Sequence, residues 1–300
     1  MTPPLLEPPP LSIGDHVALI APSGAFDRAA FLRGVARLEA LGYRCRYDEG
    51  IFERVGYCAG DDARRADEVE RALADPEVRW LVAARGGFGA TRLLPRLSVD
   101  AVRRAGKGLV GFSDVTALHA LWARAGVASV HGTMVAKLDA LPPDALARWA
   151  GALAGASPAP FTQLTPLVHG HAEGPLRGGN LAVLAALAGT PYAPPLDDAV
   201  LFLEDVGERP YRVDRMLTTL RQAGWFARLR GVVFGAFTEA PAGPDGVETR
   251  DVLREHAEAL GLPAACDAPV GHVNDNRELW LGRRVTLDAT SGTLRWLPVP

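Results

Sequence analysis

Cysteine is scarce in this 300-residue chain, and the three present, Cys45, Cys58 and Cys266, lie far apart. They form no CxxC pair, and the odd number argues against a disulfide framework. That usage fits a reducing compartment. Charge of one sign is also lacking. The net charge is −3, which leaves no electrostatic case for nucleic acid or an anionic membrane as partner. Apolar runs are short, and none approaches the about 20 residues that span a bilayer. The opening stretch "MTPPLLEPPPLSIGD" has no basic region and no long apolar core, so it does not read as a signal peptide. The expectation is a cytoplasmic protein with neither a nucleic-acid nor a membrane partner. Internal repeats and low-complexity tracts are absent.

What is present is an ordinary globular balance, 48% hydrophobic and 22% charged residues, in a chain long enough to bury a large core without staples. The length suggests about two domains at roughly 150 residues each, or one large one. In the first half, strand signals alternate with helix signals. "HVALIAPSG", "YRCRY", "RWLVAARGG", "KGLVGFSD" and "ASVHGTM" read as strands. "DRAAFLRGVARLEALG" and "DDARRADEVERALADP" read as helices; Phe31, Leu32, Val35, Leu38 and Leu41 keep helical spacing, with Gly42 as a stop. Such alternation implies βαβ units and a parallel sheet, hence the α/β class, with ligands bound beyond the carboxyl ends of the strands. Two unusual turns, "RGGFG" and "GFSD", sit at such ends. From 138 to 174 the pattern loosens and prolines accumulate, which reads as a linker between a domain 1–137 and a domain 175–300. The second half holds the strands "AVLFLEDVGE" and "GVVFGAF" and the helices "PYRVDRMLTTLRQAG" and "TRDVLREHAEALG". It closes on a hairpin around Thr290, Ser291 and Gly292.

Ser113 stands where an apolar strand meets a helical pattern. Two readings are open. A serine there can be a helix N-cap. It can also be the nucleophile of a strand-to-helix elbow, with the Asp114 amide facing a developing oxyanion. The segment Gly111-Phe112-Ser113-Asp114-Val115 lacks the second glycine of the GxSxG pattern. A nucleophilic serine needs a base, and the base needs an orienting acid. Among the seven histidines, His16, His119 and His256 fall at or within regular elements. His169 and His171 have HxH spacing with no accompanying acidic or cysteine cluster, so no metal site is expected. His131, ending a strand, and His272, in the loop "APVGHVNDN", remain as candidate bases. Glu204 and Asp205 end an apolar strand and could orient an imidazole, or pair with Arg209 or Arg212.

These segments resemble the LD-carboxypeptidases, the S66 serine peptidases, a family that includes microcin C self-immunity proteins. The resemblance rests on "GDHVALIAPSG", "RGGFGATRLLP", "GFSDVTALHALWARAGVASVHGTM", "GPLRGGNLAVLAALAGTPY", "LFLEDVGERPYRVDRMLTTL" and "PVGHVNDN", in that order across both halves. It implies a flavodoxin-like or amidotransferase-like N-terminal α/β domain and a C-terminal domain with a β-barrel-like core. It also implies Ser113 as nucleophile, Glu204 as orienting acid and His272 as base. The backbone N–H groups of Asp114 and Gly87 would form the oxyanion hole. The implied reaction removes the terminal D-alanine of a murein tetrapeptide, a small peptide substrate, during peptidoglycan recycling. No cofactor or metal is implied, and the family suggests a homodimer.

Arg85, Gly86, Arg177 and Asn180 are candidate substrate contacts. Against this, Arg85 could pair internally, and Gly178, Gly179 and Asn180 could form a helix-start turn. Trp225 and Trp280 could stack on a ligand, but packed aromatics are commoner. Within the family, the rival substrate is an aminoacyl-nucleotide amide of the microcin C type. A glutamine amidotransferase would need cysteine at position 113. A non-catalytic binding protein would not need the serine, acid and histidine together.

Overall fold

A computed structural model describes residues 4–298 of the chain. It divides into two compact units. One comprises the chain up to Ala156 together with Arg277–Trp280. The other comprises Ser157–Asn276 and the chain from Leu281 onward.

The first unit carries β1 (His16–Ile20), β2 (Arg44–Arg46), β3 (Val78–Ala83), β4 (Gly108–Gly111) and β5 (Ser129–His131). The second carries β6 (Thr165–Val168), β7 (His171–Asn180), β8 (Val200–Val206), β9 (Gly231–Thr238) and β10 (Ala264–Cys266). The chain then gives β11 (Leu279–Leu281) to the first sheet and closes with β12 (Arg284–Asp288) and β13 (Thr293–Trp296).

The first sheet runs β11-β5-β4-β3-β1-β2. The pairs β1–β2, β1–β3, β3–β4 and β4–β5 are all parallel. Its interior strands are apolar because helices cover such sheets on both faces. Leu81, Val82, Leu109, Val110 and Val130 are fully buried. The helices between the strands start at acidic or hydroxyl caps. Asp27, Asp61 and Ser98 each accept the backbone N–H three residues on. The strand order reverses at β1, whose neighbours β2 and β3 lie on opposite sides. In open α/β sheets a reversal of this kind opens a crevice at the carboxyl ends. Here the turns after β1 and β3 are joined by a Gly24 N–H bond to the Gly86 carbonyl at 3.0 Å.

The second sheet runs β13-β12-β7-β8-β9-β10-β6. Its centre, β7-β8-β9-β10, is parallel. Antiparallel strands flank it, with β12 on β7, β13 on β12 and β6 on β10. The sheet curls so far that its two ends meet. Phe161, just ahead of β6, exchanges two backbone bonds of 2.9 Å with Leu294 of β13, and the Leu164 N–H reaches the Gly292 carbonyl. The expected barrel-like core is this half-barrel. One face packs Leu201, Leu203, Val232 and Phe234 against Leu184, Val213, Leu217 and Leu253 from the helices.

The stretch 138–174 is not a free linker, and this corrects the sequence reading. The helix Pro143–Leu153 belongs to the first unit. It starts with proline at its first position, where the missing N–H costs nothing. It buries Trp149, whose indole N–H donates to the Thr133 carbonyl at 3.0 Å, and the Leu11 N–H reaches the Leu153 carbonyl. The later prolines include Pro166, which sits in the edge strand β6, where proline is tolerated. The units therefore part at Ala156 and Ser157. The other correction is Arg277–Trp280, which returns from the second half to the first unit.

Trp149 is fully buried, so Trp149→Ala should cost about 3–5 kcal/mol, read as a lower midpoint in chemical denaturation. A loss below about 1 kcal/mol would mean that the helix behaves as solvated chain.

Candidate active site

In the first unit the site builds from three strand ends. β4 stops at Gly111, Phe112 stays extended, and Ser113 then turns into the left-handed region at φ +62°. A short 3₁₀ turn, Ser113–Val115, runs directly into the helix Thr116–Ala125. Left-handed backbone is costly for any residue with a side chain, by about 1–3 kcal/mol, and it clusters at active sites. Ser113 caps neither turn. The cap positions are Phe112 and Val115, and neither makes a side-chain cap bond. The serine is half-exposed, so its hydroxyl is not consumed as structural glue.

Asp114 follows. Its side chain is buried, and Oδ2 accepts the Ala90 N–H at 2.8 Å. Burial raises its carboxyl above the ordinary range. This bond ties the segment after the "RGGFG" turn to the elbow. The turn itself lies against Ser113. A Cβ added to Gly86 would stand 2.9 Å from the Ser113 Cβ, 3.1 Å from Oγ and 3.5 Å from the Asp114 nitrogen. Only glycine leaves that space open. Gly87 has φ +108° and is exposed. Arg85 is exposed too and donates to the Ala25 carbonyl at 2.5 Å, so it does pair internally.

In the second unit, Glu204 lies within β8 and is fully buried. A buried carboxylate needs partners. His272 supplies one, with Nδ1 2.8 Å from Oε2. A carboxylate only accepts, so Nδ1 carries the hydrogen and donates, and Nε2 is left as the basic nitrogen. The ring is partly exposed, at 22% of its side-chain surface. Gly271 makes the approach possible. A Cβ there would stand 2.8 Å from Glu204 Oε2, and the residue has φ +129°. The Gly271 N–H bonds to Asn276 Oδ1 at 2.9 Å, which pins the loop. Arg212, one of the two arginines considered for Glu204, pairs with Glu208 instead.

Asn180 ends β7 opposite Glu204. Its amide N–H donates to Asp205 Oδ1 at 2.9 Å and faces Glu204 Oε1 at 3.4 Å. Its oxygen caps the helix Leu181–Leu187 through the Val183 N–H. Asp205 also accepts the Ala182 and Val206 N–H groups. Burial nevertheless pushes its carboxyl up to about 6. Arg177 pairs in register with Leu201 of the apolar core rather than with Glu204. Its guanidinium is buried, and burial lowers it to about 10. The structure thus brings Asn180, not Arg177, to the carboxylates.

The other histidines sort by surroundings. His131 ends β5, buried, with its ring 5.5 Å from that of Phe112. His256 bonds to Asp214, an exposed carboxylate. His169 and His171 are exposed, His171 beside Asp288 at 3.5 Å. No cluster of three or more metal-ligating side chains occurs among the described residues. Trp280 packs edge-on against Trp80, and Trp225 against the second unit's core, so both are structural. Asn276 and Thr238, which bonds to the His272 carbonyl at 3.3 Å, escaped the sequence reading. The asparagines of "VNDN" were a signal for the first; Thr238 offered none.

Comparison with known proteins agrees with this architecture. The family model for the LD-carboxypeptidase N-terminal domain matches residues 17–132, and that for the C-terminal domain matches 173–287. A Synechocystis protein named as a carboxypeptidase is 37% identical over 297 residues, covering 97% of each chain. The murein tetrapeptide carboxypeptidase of Pseudomonas aeruginosa is 31% identical over 303 residues, covering 95% of this chain and 96% of its own. The crystal structure of muramoyltetrapeptide carboxypeptidase from Oxalobacter formigenes superposes with a TM-score of 0.86 at 30% identity, covering 95% of this chain and 99% of that one. The microcin C7 self immunity protein MccF, in complex with aspartyl sulfamoyl adenosine, shares the fold with a TM-score of 0.88 at 21% identity over 99% of both chains. The chain belongs to the LD-carboxypeptidase family, peptidase S66.

Proposed function

We propose that this protein is a serine-type LD-carboxypeptidase that releases the terminal D-alanine of murein tetrapeptide. The observation that carries the reading is the left-handed Ser113 at a strand–helix junction. A helix N-cap takes extended backbone, whereas the nucleophile of a strand-to-helix elbow sits on a strained turn. The buried Glu204–His272 pair supports it, as does a relative at 31% identity named for this substrate.

Ser113 Oγ attacks the carbonyl carbon that joins the third residue to D-alanine. His272 Nε2 takes the hydroxyl proton. A positioned base and acid of this kind typically contributes about 10²–10⁴-fold. The carbonyl oxygen becomes an oxyanion, held by the backbone N–H groups of Asp114 and Gly87; each such donor is worth about 3 kcal/mol. The imidazolium returns its proton to the leaving D-alanine amine. Water, deprotonated by the same nitrogen, then attacks the ester and frees Ser113. Glu204 keeps the ring in the Nδ1–H tautomer and stabilises its cation. Of the candidate substrate contacts we assign Gly86, which leaves room for the substrate in front of Ser113. The reading places the enzyme in cytoplasmic peptidoglycan recycling as a homodimer.

The test is D-alanine release from L-Ala-γ-D-Glu-meso-diaminopimelate-D-Ala. Wild type should release it; Ser113→Ala and His272→Ala should fold normally and lose about 10³–10⁴-fold or more in kcat. Substantial turnover by Ser113→Ala would place the nucleophile elsewhere. Hydrolysis of an aminoacyl-sulfamoyl adenosine with no D-alanine release would contradict the substrate.

Gly86→Ala gives an independent check. The added methyl intrudes on Ser113 Oγ while the backbone at Gly86 needs no positive φ. We expect kcat/KM to fall at least about 10²-fold, with the thermal midpoint lowered by an overpacking cost of about 1–3 kcal/mol. Near wild-type activity would show that this side of the serine is not the reacting side.

A further inference from the structure

His119 is a buried histidine that these proton transfers do not use. It lies in the helix Thr116–Ala125. Its Nε2 is 2.8 Å from the Gly111 carbonyl, and its Nδ1 is 2.8 Å from Ser129 Oγ, at the start of β5. A carbonyl only accepts, so Nε2 carries the hydrogen. Burial, with His131 adding to it, holds the imidazole down at about 3, so the ring is neutral and has one N–H. Nδ1 therefore accepts from the buried Ser129 hydroxyl. The tautomer is fixed by its two neighbours.

The Gly111 carbonyl also accepts the Gly132 N–H at 3.1 Å. Both lone pairs of one oxygen are thus engaged, one from the helix that follows the elbow and one from the end of β5. This carbonyl belongs to the last residue of β4, two residues before Ser113. Phe112 leaves it fully extended at φ −153°, and Ser113 then turns to +62°. Strained backbone persists only where its surroundings over-determine it. A core position that merely needed filling would take an aliphatic side chain, with no polar atoms to satisfy.

We propose that His119 is a positioning residue for the nucleophile: supported by Ser129, it clamps the Gly111 carbonyl and so holds Ser113 in its left-handed conformation. The proposal rests on the reading of Ser113 as nucleophile. The test compares crystal structures and D-alanine release for wild type, His119→Ala, His119→Gln and Ser129→Ala. His119→Ala should release Ser113 from the left-handed region and lower kcat about 10²-fold, with KM within about twofold of wild type. His119→Gln, whose amide N–H reaches the same carbonyl, should recover most of kcat. If His119→Ala does not fold, Ser129→Ala decides the matter, with a smaller loss of kcat in the same direction. A merely structural histidine would lower the thermal midpoint and leave the Ser113 φ and the kcat of the folded enzyme unchanged, and that result overturns the proposal. Failure of the underlying reading is distinguishable, because Ser113→Ala would then keep its turnover while the crystal structures still report on the clamp.

Discussion

The backbone at Ser113 is the constraint on which the rest of the first unit's site depends. A left-handed serine is disfavoured by about 1–3 kcal/mol, so the fold must supply compensation around it. It does so locally. The Gly111 carbonyl is bonded twice, Asp114 is anchored to the Ala90 N–H, and Gly86 withholds a side chain where the serine needs room. Each bond contributes about 1 kcal/mol net, so together they match the strain in size. The parallel sheet makes this possible by ending β3 and β4 side by side.

In the second unit the corresponding problem is a buried carboxylate. Glu204 has no solvent to stabilise a charge, and removing a partner from such a group typically costs 3–5 kcal/mol. The His272 Nδ1–H and the Asn180 amide face its two oxygens. The same Asn180 caps a helix and bonds to Asp205, so cap, strand end and carboxylates are one network. Gly271 is required because the imidazole of the next residue could not reach Glu204 past a Cβ. Function here is written into backbone permissiveness as much as into side-chain chemistry.

Much of this was legible in the sequence. The alternating apolar runs and helical periods of the first half give the five parallel strands, because fully covered strands and one-sided helices have different periods. The closing hairpin appears as β12 and β13. Position alone left His272, in a loop, as a candidate alongside His131, and Glu204, near a strand end, alongside Asp205; the family resemblance chose His272 and Glu204, and the structure bonds these two to each other. Asn180 as a helix start was also visible. Other features were not legible, for physical reasons. Ser113 as a cap and Ser113 as an elbow differ in φ, which no residue letter encodes. The return of Arg277–Trp280 to the first unit depends on a three-residue strand, too short for a periodic signal. The proline-rich stretch 138–174 looked like linker because prolines at a helix start and in an edge strand resemble prolines in a loop. His119 looked like a helix residue because its partners, Gly111 and Ser129, are contacts that only the fold brings together.

The central claim is that Ser113 becomes covalently acylated. Acid-quenched intact-protein mass spectrometry during turnover of the tetrapeptide, followed by peptide mapping, tests it directly. The account predicts a transient adduct of the tripeptide acyl group on the peptide containing Ser113. Turnover with an adduct on any other residue, or sustained turnover with no adduct when deacylation is slowed, would contradict it.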